Sequence, residues 1–159
     1  NLGILRLYIQ RMPKDTKNEF GHPADAPYLS VISPSCHDMS TIRGWWEEDH
    51  ERAQRYYNQI LGQNGDSPSA CEVWISEEVL RQHLISPAMW AITPLQDLTA
   101  MEPKLRRENP KDEQINDPSN PHNLWQYRFH MDLEDLLNEK EFNQKLAGMV
   151  EMAERNREY

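Results

Sequence analysis

Apolar residues at alternate positions open the chain. Leu5, Leu7 and Ile9 fall on one face of residues 4–10, with mixed residues on the other, which predicts a strand. Gly3 just before it suits the end of a preceding helix. A polar stretch from Pro13 to Pro27, holding Gly21, reads as a loop, and residues 28–33 as a second short strand stopped by Pro34. The period then changes. Ile42, Trp45, Trp46, Ala53, Tyr56, Tyr57, Ile60 and Leu61 recur at steps of three and four, predicting one long helix capped by Ser40 or Thr41 and ended by Gly62. After a turn at Asn64-Gly65-Asp66, Ser76 followed by Glu77 and Glu78 predicts a helix start, with Val79, Leu80, His83 and Leu84 as its stripe. Residues 88–93 make a third short strand before Pro94. Residues 102–121 hold four prolines and many charges, so a long irregular loop is expected over 102–124. Asp132 caps a short helix with Leu133, Leu136 and Leu137. A second helix carries Phe142, Leu146, Met149, Val150 and Ala153 within a C-terminal helical region, 132–159, whose last residues from Arg155 are expected to fray. Strand, helix and strand in alternation predict an α/β arrangement with parallel strands.

Composition narrows the function classes. Lys and Arg total 17 against 26 Asp and Glu, a net charge of -9, which argues against a phosphate-tracking nucleic-acid binder and against adsorption to an anionic membrane. Apolar runs are too short to cross a bilayer. At 159 residues the size fits one domain or part of a larger one, and a start at Asn1 rather than Met is expected of a processed chain or one cut from something longer. Only 38% of residues are hydrophobic, but five Trp and six Tyr supply large apolar area for a core. Cys36 and Cys71 are too few for a disulfide scaffold, so a reducing, cytoplasmic setting is the simpler expectation. Six histidines without ligand spacing give no reason to expect a metal.

Three segments hold candidate chemistry. In parallel α/β folds ligands bind beyond the carboxyl ends of strands, which singles out His37-Asp38 and the following Arg43, Trp45 and Trp46. A carboxylate beside an imidazole suits sugar hydroxyls and a developing positive charge, and indole faces suit a pyranose. On spacing alone, a helix-capping Asp38 and a core Trp pair need fewer assumptions. Cys36 reads as a buried structural thiol, because neighbours on an extended segment point opposite ways and cannot pair as nucleophile and base. Gln96 and Asp97 after the third strand suit sugar hydroxyls or simply cap a turn. The third segment runs from Asn116 through Pro118, Pro121 and Asn123 to Trp125, with Tyr127 and Arg128 beyond; it is a stiffened loop of carbohydrate-binding composition or a set of turns.

Taken together, Pro34-Ser35-Cys36-His37-Asp38-Met39-Ser40-Thr41-Ile42-Arg43-Gly44-Trp45-Trp46-Glu47, then Pro94-Leu95-Gln96-Asp97-Leu98, then Asn116 through Trp125-Gln126-Tyr127-Arg128 resemble the C-terminal part of the 4-α-glucanotransferases (amylomaltases or disproportionating enzymes, glycoside hydrolase family 77). The Pro-Ser-Cys-His-Asp wording is closest to the plant cytosolic maltose-metabolising branch, and the resemblance covers nearly the whole chain. It implies the last strand–helix units of a (β/α)8 barrel, incomplete in this chain, from a retaining enzyme that transfers α-1,4-glucosyl units between maltose or maltodextrins and glucan acceptors, glycogen and heteroglycan included, without cofactor. By the same resemblance Asp38 is the transition-state-stabilising carboxylate, and His37, Arg43, Trp45, Trp46, Gln96, Asp97, Asn116, Asn123 and Trp125 bind substrate. The nucleophile and acid/base motifs are expected upstream of Asn1. Cys36 and the longer, more polar 102–121 loop depart from ordinary amylomaltases and bear on acceptor preference. An isolated piece of a barrel is expected to be inactive, and either to self-associate through open edges around Leu5, Val31 and Trp90 or to rearrange its strands. The competing expectation is a free-standing carbohydrate-binding or interaction module without catalysis.

Overall fold

The computed structural model describes residues 4–156; Gly3 and residues 157–159, for which a helix end and fraying are expected, lie outside them. Three short strands, β1 (Arg6–Ile9), β2 (Ser30–Ser33) and β3 (Trp90–Ala91), form one parallel sheet in that order. The register aligns Leu7 with Val31 and Val31 with Trp90 on one face, and Tyr8 with Ile32 and Ile32 with Ala91 on the other. The second face is covered: Ile32 is fully buried and packs with Ala26 and Ala88. The first is open. Leu7 and Trp90 are 59% and 57% exposed, while Leu5 and Val31 are half-buried.

Helices fill the connection from β2 to β3. The expected single helix over 41–61 is two, α1 (Ile42–Glu48) and α2 (His50–Gln59). Asp49 breaks the run by turning extended (φ -147°, ψ 99°) and accepting a hydrogen bond from the Arg52 N–H, so it caps α2. The break folds the aromatic stripe onto itself. Trp45, Trp46 and Tyr56 meet edge to face, with Phe20 against Trp45 and Tyr56. Gly62, at φ +65°, ends the turn after α2, a conformation a side chain would strain. The next helix, α3 (Val73–Leu84), starts three residues before the expected Ser76, which lies buried inside it. Ile75 and Val79 complete the aromatic core, and Leu80 and Leu84 turn toward a second one holding Met101, Leu105 and Phe142.

After β3, Pro94 opens a short helix, α4 (Leu95–Thr99), in place of the expected turn. The 102–124 segment is irregular but anchored: two 3-10 turns (Pro103–Leu105 and Pro110–Glu113) bury Leu105 and Glu113. Two helices follow, α5 (Leu133–Leu136) and α6 (Lys140–Met152). Arg155 does not fray. Its guanidinium donates to the carbonyls of Ser86 (2.8 Å) and Ala88 (3.0 Å), tying the end of α6 to the approach to β3. Among the described residues, no helix is long and apolar enough to cross a membrane.

Candidate functional site

Proline at position 34 stops β2, and residues 34–40 cross the carboxyl end of the sheet before Thr41 caps α1 by accepting the Gly44 N–H. This short crossing is held from several sides. Ser33 Oγ donates to the Ser35 carbonyl at 2.6 Å. Asp97, at the start of α4, accepts from the Ser35 hydroxyl and, at 2.8 Å, from the Ile42 N–H. From just past β1, Arg11 donates to the Pro34 carbonyl (3.2 Å) and the Ser40 carbonyl (2.7 Å). The Asn116 N–H reaches the His37 carbonyl at 3.1 Å, so the long loop is stitched to the crossing through its backbone.

Asp38 sits on the outer side of this crossing, with its side chain 47% exposed. One carboxylate oxygen accepts from Asn116 Nδ2 at 2.7 Å; the other lies 3.1 Å from His37 Nε2. Asn123 in turn donates to the Asn116 side-chain oxygen, and the His37 ring lies 5.4 Å from that of Trp125, centroid to centroid. The Asp38 carboxylate borders a groove of about 400 Å³ walled by Arg11, Trp45, Glu48, Gln114 and Asp117. A carboxylate with both oxygens partly engaged and one side open can accept hydroxyl donors and stabilise a nearby positive charge. A larger groove of about 560 Å³, between α3 and α6 beside Trp74 and Met149, holds none of these residues.

The expected site therefore divides. His37, Asp38, Asn116, Asn123 and Trp125 come together, drawn from two segments almost eighty residues apart in sequence. The other expected residues are buried apart from this cluster. Trp46 is fully buried, its indole N–H donating to the Pro68 carbonyl at 2.8 Å, so it offers no face to a sugar. Trp45 is 5% exposed, borders the groove, and has both Arg11 and Arg52 over its ring. Arg43 is buried in an ion pair with Glu113 and donates to the Arg107 carbonyl. Gln96 is buried and donates to the Glu113 carbonyl at 3.3 Å, and Asp97 is buried against the 34–42 backbone. These polar groups brace the loops that carry the site. Their electrostatics agree. Burial raises the Asp97 and Glu113 carboxyls above their usual range, opposed by the Ser35 and Ile42 donors in the first case and by Arg43 in the second.

Cys36, expected to be buried, is half-buried; Cys71 is the buried one, and desolvation pushes its thiol up to about 12. Arg11 is a site residue that sequence reasoning missed, although a charge directly beyond an apolar strand obeys the rule that singled out His37 and Asp38. Glu113 gave no signal, because its value lies in a buried partner seventy residues away. Among the described residues no group of three or more His, Cys, Asp or Glu is arranged to hold a metal ion.

Residues 1–134 match the protein-family model described as 4-alpha-glucanotransferase. The 4-alpha-glucanotransferase DPE2 of rice (Oryza sativa subsp. japonica) is 43% identical over 149 residues, 94% of this chain and 16% of that protein. A 4-alpha-glucanotransferase of Chlamydia trachomatis is 30% identical over 145 residues, 87% of this chain and 27% of that protein. The chain thus spans between about a sixth and a quarter of the length of these curated relatives. Among solved structures, an amylomaltase from Streptococcus agalactiae in complex with acarbose shares the fold at a TM-score of 0.67 and 24% identity, covering 96% of this chain and 28% of that one.

Proposed function

The chain belongs to the 4-alpha-glucanotransferase family, and from that premise we propose that it forms the closing strand–helix units of a (β/α)8 barrel that moves α-1,4-glucan units from maltose or maltodextrin to a glucan acceptor. In this reading Asp38 is the third carboxylate of a retaining mechanism. The nucleophile and the acid/base belong to polypeptide beyond this chain. The nucleophile attacks the anomeric carbon while the acid protonates the departing glycosidic oxygen, giving a covalent glycosyl intermediate. The same acid/base then takes the proton of an acceptor hydroxyl as that oxygen displaces the carboxylate, and the α configuration is restored.

The observation that carries the reading is the setting of Asp38. It is an open carboxylate at the carboxyl end of a parallel sheet, beside a groove, oriented by Asn116 and His37. As the sugar passes through an oxocarbenium-like state, its charge and its shortened hydroxyl contacts both fall to such a group. Trp125, 64% exposed and stacked at a tilt on His37, offers the indole face that Trp45 and Trp46 do not. Open strand edges support the barrel: among the described residues β1 and β3 each have one neighbour, and parallel strands are ordinarily paired and covered on both sides.

Asp38→Asn in the full-length polypeptide tests the assignment. The amide keeps size and the Asn116 contact but removes the charge, so maltose disproportionation falls by at least about 100-fold with an unchanged thermal midpoint. Turnover near wild type removes Asp38 from the mechanism.

A further inference from the structure

Arg11 lies outside the three motifs that the sequence singles out, yet it touches the Asp38 segment at both ends. It lies two residues past β1 and is 3% exposed. Its Nε donates to the Pro34 carbonyl and its Nη2 to the Ser40 carbonyl, while its plane lies over the Trp45 ring, 5.2 Å from the centroid. Asp97 also holds this stretch, through the Ser35 hydroxyl and the Ile42 N–H. A buried guanidinium and a buried carboxyl thus hold the crossing and the start of α1, and no hydrogen bond or ion pair joins the two among the described residues.

We infer that Arg11 is a positioning residue: with Asp97 as its counterweight it fixes the backbone of residues 34–40 so that the Asp38 carboxylate faces the groove at one height. The inference rests on the proposed role of Asp38. Two features distinguish it from ordinary core filling. A guanidinium is a large polar cost to bury, and a Leu or Met could fill the volume beside Trp45. Moreover, the two carbonyls it ties flank Asp38, so its fork geometry fixes the span between them; one ammonium cannot reproduce that. No residue of β1 reaches this segment by a side-chain hydrogen bond among the described residues. Any shift in the Asp38 carboxylate acts on the transition state more than on ground-state binding, because its charge matters only as the oxocarbenium develops.

The test uses the full-length enzyme and three variants: Arg11→Lys, Asp38→Asn and the double variant. Arg11→Lys lowers kcat for maltose disproportionation by about 100-fold, the penalty of a misplacement near 1 Å, with KM changed by less than about threefold. The double variant is no slower than Asp38→Asn, since Arg11 works through the group already lost. Amide hydrogen exchange rises over residues 34–41 in Arg11→Lys and stays unchanged in α2 and α3. A kcat within twofold of wild type, a loss that multiplies in the double variant, or unchanged exchange over 34–41 each overturns the inference. If Arg11→Lys does not accumulate as soluble protein, Arg11→Gln replaces it; insolubility of both assigns Arg11 to the fold instead and overturns the positioning role. An active Asp38→Asn sinks this inference together with the function it rests on. An inactive Asp38→Asn beside a fully active Arg11→Lys sinks this one alone.

Discussion

An indole stacks on a sugar only through an open face, and the five tryptophans differ in what they leave open. Trp46 is buried on all sides and spends its one donor on the Pro68 carbonyl, whereas Trp125 is 64% exposed beside His37. Trp46→Ala therefore costs about 3–5 kcal/mol of stability, the range for emptying a large aromatic site, while the folded fraction keeps its glucan affinity. Trp125→Ala shows the reverse, weaker glucan binding with an unchanged urea midpoint. Calorimetric titration with a maltodextrin beside urea unfolding separates the two, and swapped signatures would return Trp46 to the site. The sequence rule that polar residues gather beyond strand ends singles out His37 and Asp38, the Asn- and Pro-rich composition singles out Asn116, Asn123 and Trp125, and the structure brings these five side chains together. That rule reads position along the chain. It cannot tell a side chain that leans over the groove from one that turns under it, which is why Arg43, Gln96 and Asp97 satisfy it equally well. Their orientation is decided by partners on other segments, Glu113 for Arg43 and the Ser35 hydroxyl for Asp97.

Helix α3 shows how burial at the level of an element creates a pH response. Its stripe of Ile75, Val79, Leu80, His83 and Leu84 is legible at helical spacing, but its start is not, because Ser76-Glu77-Glu78 has the composition of a cap and the true N-terminus at Val73 has no side-chain cap. The same blindness hides the α1–α2 break: the apolar period continues on either side of Asp49, and only its extended backbone, stabilised by capping Arg52, divides the run. Within α3, His83 is fully buried and its Nδ1–H donates to the Val79 carbonyl at 2.7 Å. Desolvation lowers its pKa from 6.5 to about 4, the hydrogen bond to Val79 opposing the shift. The unfolded chain takes up the proton first as pH falls, so its bound protons outnumber those of the folded state between pH 6.5 and about 4. Stability contributed by neutral His83 is full above pH 6.5, declines through that window and is lost below it, by about 3 kcal/mol in all. Urea midpoints at one fixed protein concentration, wild type against His83→Gln, isolate the effect. The variant loses less stability than wild type between pH 7 and pH 4.5. Parallel acid limbs in the two proteins would show that His83 titrates as if exposed.

At the scale of the whole molecule, the sheet is unbalanced in two directions. One face is closed by Ala26 and Ala88 against Ile32, while the opposite row of Leu7, Val31 and Trp90 stays open along the register that links them. Both outer edges, of β1 and of β3, lack a neighbour among the described strands. An apolar face and two unpaired edges on a parallel sheet are the conditions under which chains associate. In the proposed barrel the missing neighbours are further strands of the same enzyme, and the open row becomes part of the packed interior. The 159-residue chain by itself has only other copies to pair with. Purified alone, it elutes above its monomer mass and scatters as oligomers that grow with concentration, and it releases no glucose from maltose. Leu7→Lys supplies a discriminating arm, because a charge at the open row opposes stacking and edge pairing without entering either helical core. The variant shifts toward monomer at the same concentration and its far-ultraviolet spectrum is preserved. A wild-type chain that stays monomeric at high concentration would mean that this sheet satisfies itself. The barrel would then have to be abandoned as the reason for the exposed Leu7 and Trp90. Glucose release by the isolated chain would likewise show that the other two working carboxylates lie within these 159 residues rather than beyond them.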